Sequence, residues 1–155
     1  MRFQGQTEYD HDGPSPGSGV LLNNLGTPDA PNAKALRRYL RQFLSDPRVV
    51  EIPRLLWLMI LYLFILPLRP KSSAKLYQQI WTEAGSPLMD ITLRQARALQ
   101  ARLDQVYGEG VIPVATGMRY GNPSIAKALR ELTDRNVHNI VVLPLYPQYC
   151  GATVG

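Results

Sequence analysis

The sequence predicts an α/β fold with a parallel sheet covered on both faces. Three observations carry this. Residues 19–24, 111–116 and 139–145 are short runs that are apolar almost without interruption. Between them, apolar residues recur at helical spacing, and each run closes in turn formers. Strands buried on both faces read as unbroken apolar runs, and helices alternating with them make a parallel sheet.

In chain order, Gly19-Val20-Leu21-Leu22-Asn23-Asn24 reads as a buried strand entering the tight turn Leu25-Gly26-Thr27-Pro28. Leu36, Tyr39, Leu40, Phe43 and Leu44 then make the stripe of an amphipathic helix that stops near Asp46-Pro47. Residues 55–66 are almost wholly apolar and end at Pro67. As a helix they would span about 18 Å, short of the roughly 30 Å of a bilayer core, so the segment is read as a buried helix or as an apolar lip over a greasy ligand or membrane face. A further helix is expected from an N-cap at Ser72 or Ser73 to Trp81. After the rigid loop Gly85-Ser86-Pro87-Leu88, a longer helix runs from about Asp90 to Tyr107, with the stripe Ala96, Leu99, Leu103 and Val106 and a stop at Gly108. The second strand closes in residues 117–123, and Ile125, Ala128, Leu129 and Leu132 mark the last helix. The third strand carries Ile140, Val141, Val142 and Leu143, and the loop after it has no following helix. Because a right-handed crossover is due there, the chain is expected to be truncated.

At 155 residues and 17.4 kDa a single core is the default. With 45% hydrophobic and 19% charged residues, the chain is neither a disordered polymer nor a membrane bundle. Residues 1–18 hold turn formers and no apolar run, so they read as a disordered tail without a secretory signal. The net charge of +5 would suit an anionic ligand or an acidic membrane surface, but a mildly basic solvated surface is the plainer reading. Arg37, Arg38 and Arg41 are spaced as one exposed helix face and not as a nucleic-acid block, so no nucleic-acid partner is expected. Cys150, the single cysteine, leaves no internal disulfide or zinc site built on a cysteine pair, and points to a reducing compartment.

Ligands of open α/β sheets collect beyond the carboxyl ends of the strands. Three unusual loops are expected there: one with Leu25, one with Arg119 and Tyr120, and one with Tyr146, Gln148 and Tyr149. Together they offer apolar contact, a cation, hydroxyls and an amide, which suits a flat or amphipathic anion. No G-x-G-x-x-G follows the first strand and no Walker sequence occurs. Each residue also has a plain structural reading: Arg119 as an ion-pair partner, the tyrosines as packing, Ser86 as a turn residue and Arg69 as a surface charge. His11 lies in the tail and His138 reads as a solvated loop residue, so no complete acid–base apparatus and no metal site is evident.

Five blocks, Asn24-Leu25-Gly26-Thr27-Pro28, residues 39–46, Gly85-Ser86-Pro87-Leu88, residues 118–123 and residues 143–149, resemble in order and spacing the amino-terminal half of the ferrochelatases, and of proteobacterial members in particular. The resemblance covers residues 19–155. It implies a Rossmann-like, three-layer, chelatase-type domain, here one incomplete domain of a two-domain architecture. It implies a lyase, a metal chelatase that inserts ferrous iron into protoporphyrin IX to give haem, the porphyrin lying in a cleft between domains. By motif, Leu25 would lie against the macrocycle, Arg69 and Ser86 near the propionates, and Arg119, Tyr120 and Tyr146 along the pocket, while residues 55–66 would form a hydrophobic lip.

The same resemblance implies a cytoplasmic enzyme, peripheral at the inner face of the membrane. The catalytic histidine and its glutamate partner belong to the family's second half, so these residues are expected to supply one pocket wall and no turnover. Where some members place a cluster-binding cysteine, this chain has Gly151, with Cys150 one place early, so no [2Fe-2S] cluster is expected. The ending Gly151-Ala152-Thr153-Val154-Gly155 also departs from the family's more hydroxyl-rich pattern. Two other readings stay open: a coproporphyrin or cobalt chelatase, and a basic membrane-surface module without catalysis.

Overall fold

The computed structural model describes residues 17–146 and 148. Three strands, β1 (Gly17–Asn24), β2 (Val114–Met118) and β3 (Val137–Pro144), form a parallel sheet in the order β2-β1-β3. Val20 pairs with Val114 on one side and Val141 on the other, so the three carboxyl ends lie side by side. β1 starts at Gly17, which moves Gly17 and Ser18 from the expected tail into the sheet. The remainder of the tail, residues 1–16, lies outside the described residues, as do Tyr149 to Gly155 with Cys150 and Gly151.

Successive residues of β1 face opposite ways, and both Leu21 and Leu22 are buried, so helices cover both faces. On one face, α5 (Ile125–Thr133) brings Ala128 and Leu132 against Leu21, Ala115 and Val137, with Ile125, Leu129 and Ile140 packed around them. Burial of a side chain such as Leu132 contributes roughly 1.5–3 kcal/mol. On the other, α4 (Pro87–Tyr107) donates nothing to the ladder but anchors to β1 where Asn24 Nδ2 donates to Thr92 Oγ1 at 2.9 Å. Gln100 holds the β2 edge, accepting from Val114 N at 2.7 Å and donating to the Ile112 carbonyl at 3.1 Å.

Cover on both faces does not extend to β3. Val141, Val142 and Leu143 are 62%, 52% and 44% exposed, because β3 is an edge strand and neither α4 nor α5 reaches its carboxyl half among the described residues. Their apolarity predicts burial, and among the described residues nothing covers them.

The second correction concerns the apolar segment. α2 (Arg54–Ile60), a π-helical turn (Leu61–Ile65) and α3 (Leu66–Ile80) run on as one helix of 27 residues. Pro67 does not end it, and Ser72 and Ser73 lie inside α3 and cap nothing. Proline lacks the N–H of an α-helical bond and its ring crowds the carbonyl four residues back, and the wider π turn just before Pro67 relieves both constraints. By length and composition alone this helix could cross a bilayer, contrary to the reading from residues 55–66, although only Leu61, Leu66, Pro70 and Ala74 are buried along it. Its start is tied to the end of α1 (Ala33–Leu44): Trp57 Nε1 donates to the Leu44 carbonyl at 2.7 Å, and Arg54 donates to that of Ser45. α3 then packs back along α1.

Candidate functional site

The loops after β1 and β2 are locked to each other. Arg119 N donates to the Asn24 carbonyl at 2.8 Å and Tyr120 N to that of Leu25 at 2.9 Å. Gly26, at φ +102°, allows this approach: a Cβ there would stand 1.7 Å from the Tyr120 carbonyl oxygen. β3 joins them through Leu145 N, which donates to the Asn23 carbonyl at 2.8 Å and brings Tyr146 alongside.

α1 braces the loops from one side. Tyr39 Oη donates to the Gly26 carbonyl, Gln42 Oε1 accepts from Gly121 N at 2.8 Å, and Phe43 meets the Tyr120 ring edge-on at 5.1 Å. Just past its end, Asp46 accepts from Arg119 Nη2 at 2.9 Å and from Tyr120 Oη at 3.0 Å, both on Oδ2. Asp46 also takes Arg48 through its backbone N–H at 2.9 Å and its Nε at 3.1 Å. The Arg119 guanidinium lies 5.6 Å from the Tyr120 ring centroid.

Gln42, Asp46, Arg119 and Tyr120 line a cleft of about 880 Å³ with Arg38, Arg41, Arg48, Arg54, and Tyr62 from the π turn. Five guanidinium groups against one carboxylate make its potential positive. Burial raises the Tyr120 and Tyr146 hydroxyls above the usual phenol range; for Tyr120 the Arg119 hydrogen bond opposes and Asp46 reinforces the shift, and for Tyr146 the Arg119 charge opposes it. Both remain donors at neutral pH. Two donor atoms are buried without a partner among the described residues, Arg119 Nε and Tyr146 Oη.

Of the residues expected at the site, Leu25, Arg119, Tyr120 and Tyr146 are brought together. Ser86 is not among them: it is buried as the N-cap of α4, accepting from Met89 N, and lines a separate cavity of about 260 Å³ with Thr27, Pro28, Trp81 and Met89. Arg69 is exposed on α3, outside the 880 Å³ cleft. His138 is exposed near the start of β3 rather than in a loop, about 20 Å by strand length from the mouth. Asp46, Arg38, Arg41, Arg48, Arg54 and Tyr62 were not expected. A signal for Asp46 was available: Tyr39, Gln42, Phe43 and Asp46 are three, four and seven residues apart, a single helical face.

The fold is an open parallel α/β domain, with arginines and tyrosines at the mouth where a nucleotide-binding domain carries a glycine loop. The family model described as ferrochelatase matches residues 17–155, and the chain belongs to that family. It is 54% identical over 155 residues to the ferrochelatase of Alcanivorax borkumensis, a match covering all of this chain and 45% of that protein. It is 60% identical over 138 residues to ferrochelatase 2 of Shewanella oneidensis, covering 88% of this chain and 41% of that one. With the ferrochelatase of Thioalkalivibrio sulfidiphilus the identity is 55% over 155 residues, 100% of this chain and 42% of the relative. The chain therefore spans less than half the length of the curated relatives it matches.

Proposed function

We propose that these residues form the amino-terminal wall of a ferrochelatase, a lyase that inserts ferrous iron into protoporphyrin IX in haem synthesis. The observation that carries this reading is the cleft at the strand ends: a positive, tyrosine-lined mouth beside an exposed apolar helix, the surface a flat, greasy ring with anionic substituents needs. Arg119 supplies charge and Tyr120 and Tyr146 supply un-ionised hydroxyls, while Leu25 packs at the loop that joins them. Arg69 and Ser86 serve the propionates in this reading by motif alone, since neither lines the cleft.

The ring is bound and oriented here, and its pyrrole protons are removed by groups beyond the described residues, since His138 stands far from the mouth. Ferrous iron is a substrate. No [2Fe-2S] centre is assigned in this reading, because the position where cluster-binding members would place a cysteine is Gly151, with Cys150 one place early.

The reading also places the protein in the cytoplasm, peripheral on a membrane. Leu55, Leu63, Phe64 and Leu68 are 60–77% exposed on the long helix, and between Glu51 and Glu83 stand four cations, Arg54, Arg69, Lys71 and Lys75, without an acidic residue. Such a surface receives an insoluble ring from a bilayer.

Titrating the chain into protoporphyrin IX and following the porphyrin absorbance tests the reading. Saturable binding, weakened about tenfold or more by Arg119→Met, is expected. A porphyrin spectrum indifferent to the chain would reject it, and haem formation by these residues at an appreciable rate would reject the division of labour. Flotation with vesicles is expected to carry the chain upward, and Leu63→Asp with Phe64→Asp to abolish that.

A further inference from the structure

The Asp46 carboxylate is the one acidic group lining a cleft that presents five arginines. A carboxylate there opposes the binding of an anion, so its place calls for a reason. Its side chain is 10% exposed, it accepts from Arg119, Tyr120 and Arg48 at 2.9–3.3 Å, and it follows α1, the element that braces both loops. Arg119 is thereby held at its Nη2 by a charge-assisted bond and against the Tyr120 ring, while its Nε–H is buried and has no partner among the described residues. Tyr146 Oη likewise has no partner among the described residues and lies within the electrostatic reach of Arg119. A buried donor without a partner costs free energy that an acceptor on a ligand would recover.

We propose that Asp46 is a positioning residue: it fixes the guanidinium of Arg119 so that Nε–H, with the Tyr146 hydroxyl, is presented as a preset donor to an oxygen or nitrogen acceptor on the bound ring. The proposal rests on the ring-binding reading of the cleft. Asp46 touches no ligand in this scheme. It exchanges some of the cleft's positive potential for a guanidinium that does not have to be ordered when the ligand arrives, and preorganisation of this kind improves affinity by removing the ordering cost from the binding step. Because Tyr120 donates to the same carboxylate oxygen, both side chains of the second loop are set by one group.

Two readouts test this, one of them free of any ligand. In an arginine Nε–Hε correlation spectrum of the 15N-labelled chain, the Arg119 signal, identified by its loss in Arg119→Lys, is expected to stand apart from the exposed arginines. In Asp46→Asn it should collapse into their envelope, with Asp46→Glu restoring part of the dispersion. An Arg119 signal unchanged in Asp46→Asn would overturn the proposal, whatever porphyrin does. Should Asp46→Asn not fold, Tyr120→Phe takes its place: an Arg119 signal that keeps its shift while the Tyr120 bond is lost supports Asp46 as the holder, and one that collapses overturns it.

The second readout is a double-mutant cycle on protoporphyrin IX binding. Asp46→Asn should weaken binding about tenfold in the parent chain and by less than about twofold when Arg119 is already Met. Equal losses in both backgrounds, or a gain on removing the carboxylate, would refute action through Arg119. A failure of porphyrin to bind at all rejects the ring-binding reading and leaves the spectral test of Asp46 standing.

Discussion

Replacing Gly26 by alanine separates loop packing from backbone conformation, because a matched control stands nearby. Gly26 and Gly85 share almost the same φ, +102° and +100°, so any L-residue is strained alike at both. That strain is of order 1–3 kcal/mol. The space around them differs. At Gly85 nothing lies within 4 Å of an added Cβ, whereas at Gly26 the Tyr120 carbonyl oxygen would lie at 1.7 Å and its carbon at 2.9 Å. To reach even 3.0 Å, that oxygen has to retreat by about 1.3 Å, and it belongs to backbone with no rotamer to change. A shift of that size breaks the bonds of Arg119 N to Asn24 and Tyr120 N to Leu25. Two buried backbone bonds left unmade come to roughly 2–6 kcal/mol. Urea denaturation followed by circular dichroism is therefore expected to find Gly26→Ala less stable than Gly85→Ala by at least about 2 kcal/mol. Porphyrin affinity should fall with it, since Arg119 and Tyr120 ride on the displaced loop. Losses equal to within about 0.5 kcal/mol would refute the reasoning and show that the two loops are not held in contact.

Other outcomes follow from the same geometry. Gln100→Leu strips the β2 edge of the acceptor for Val114 N and should cost about 1–3 kcal/mol in urea, and a loss below about 0.5 kcal/mol would mean that water serves that edge as well. Ser86→Ala removes the α4 N-cap and should cost about 1 kcal/mol in urea; a loss below about 0.3 kcal/mol would count against the capping role. Burial, with nearby tyrosines adding to it, raises the Tyr39 hydroxyl well above its ordinary value near 10. Stability from that group is complete below about pH 10 and lost as pH rises beyond it, because the unfolded chain ionises first, by up to about 1.4 kcal/mol per pH unit. Urea midpoints should fall between about pH 10 and about pH 11.5 and recover in part in Tyr39→Phe; a flat profile would contradict the burial argument.

How much of this was legible in the sequence depended on which force decided each residue. The α1 stripe and the α5 stripe were readable because hydrophobic burial acts at a fixed period, and Leu36 and Leu132 are indeed wholly buried. The breaker rule failed at Pro67 because it assumes an α-helical hydrogen-bond pattern on the proline's amino side, and a π turn removes that assumption. Val141, Val142 and Leu143 show a different limit: apolarity reports that a residue tolerates burial, not that anything covers it. At the mouth, Arg119, Tyr120 and Tyr146 stand together as their strand-end positions suggest, while Ser86 caps α4; a hydroxyl serves a cap and a ligand by the same chemistry, so sequence does not separate the two uses. Asp46 was missed for a related reason. Its partners Arg119 and Tyr120 lie 73 and 74 residues away, and no local pattern records a hydrogen bond across that separation. What sequence does record is the face that makes the bond available, with Tyr39, Gln42, Phe43 and Asp46 in line on the helix and just past its end. A charged residue that continues a helical face past its last turn, as Asp46 continues that of Tyr39, Gln42 and Phe43, is in place to reach a loop from another part of the chain and to supply its counter-charge.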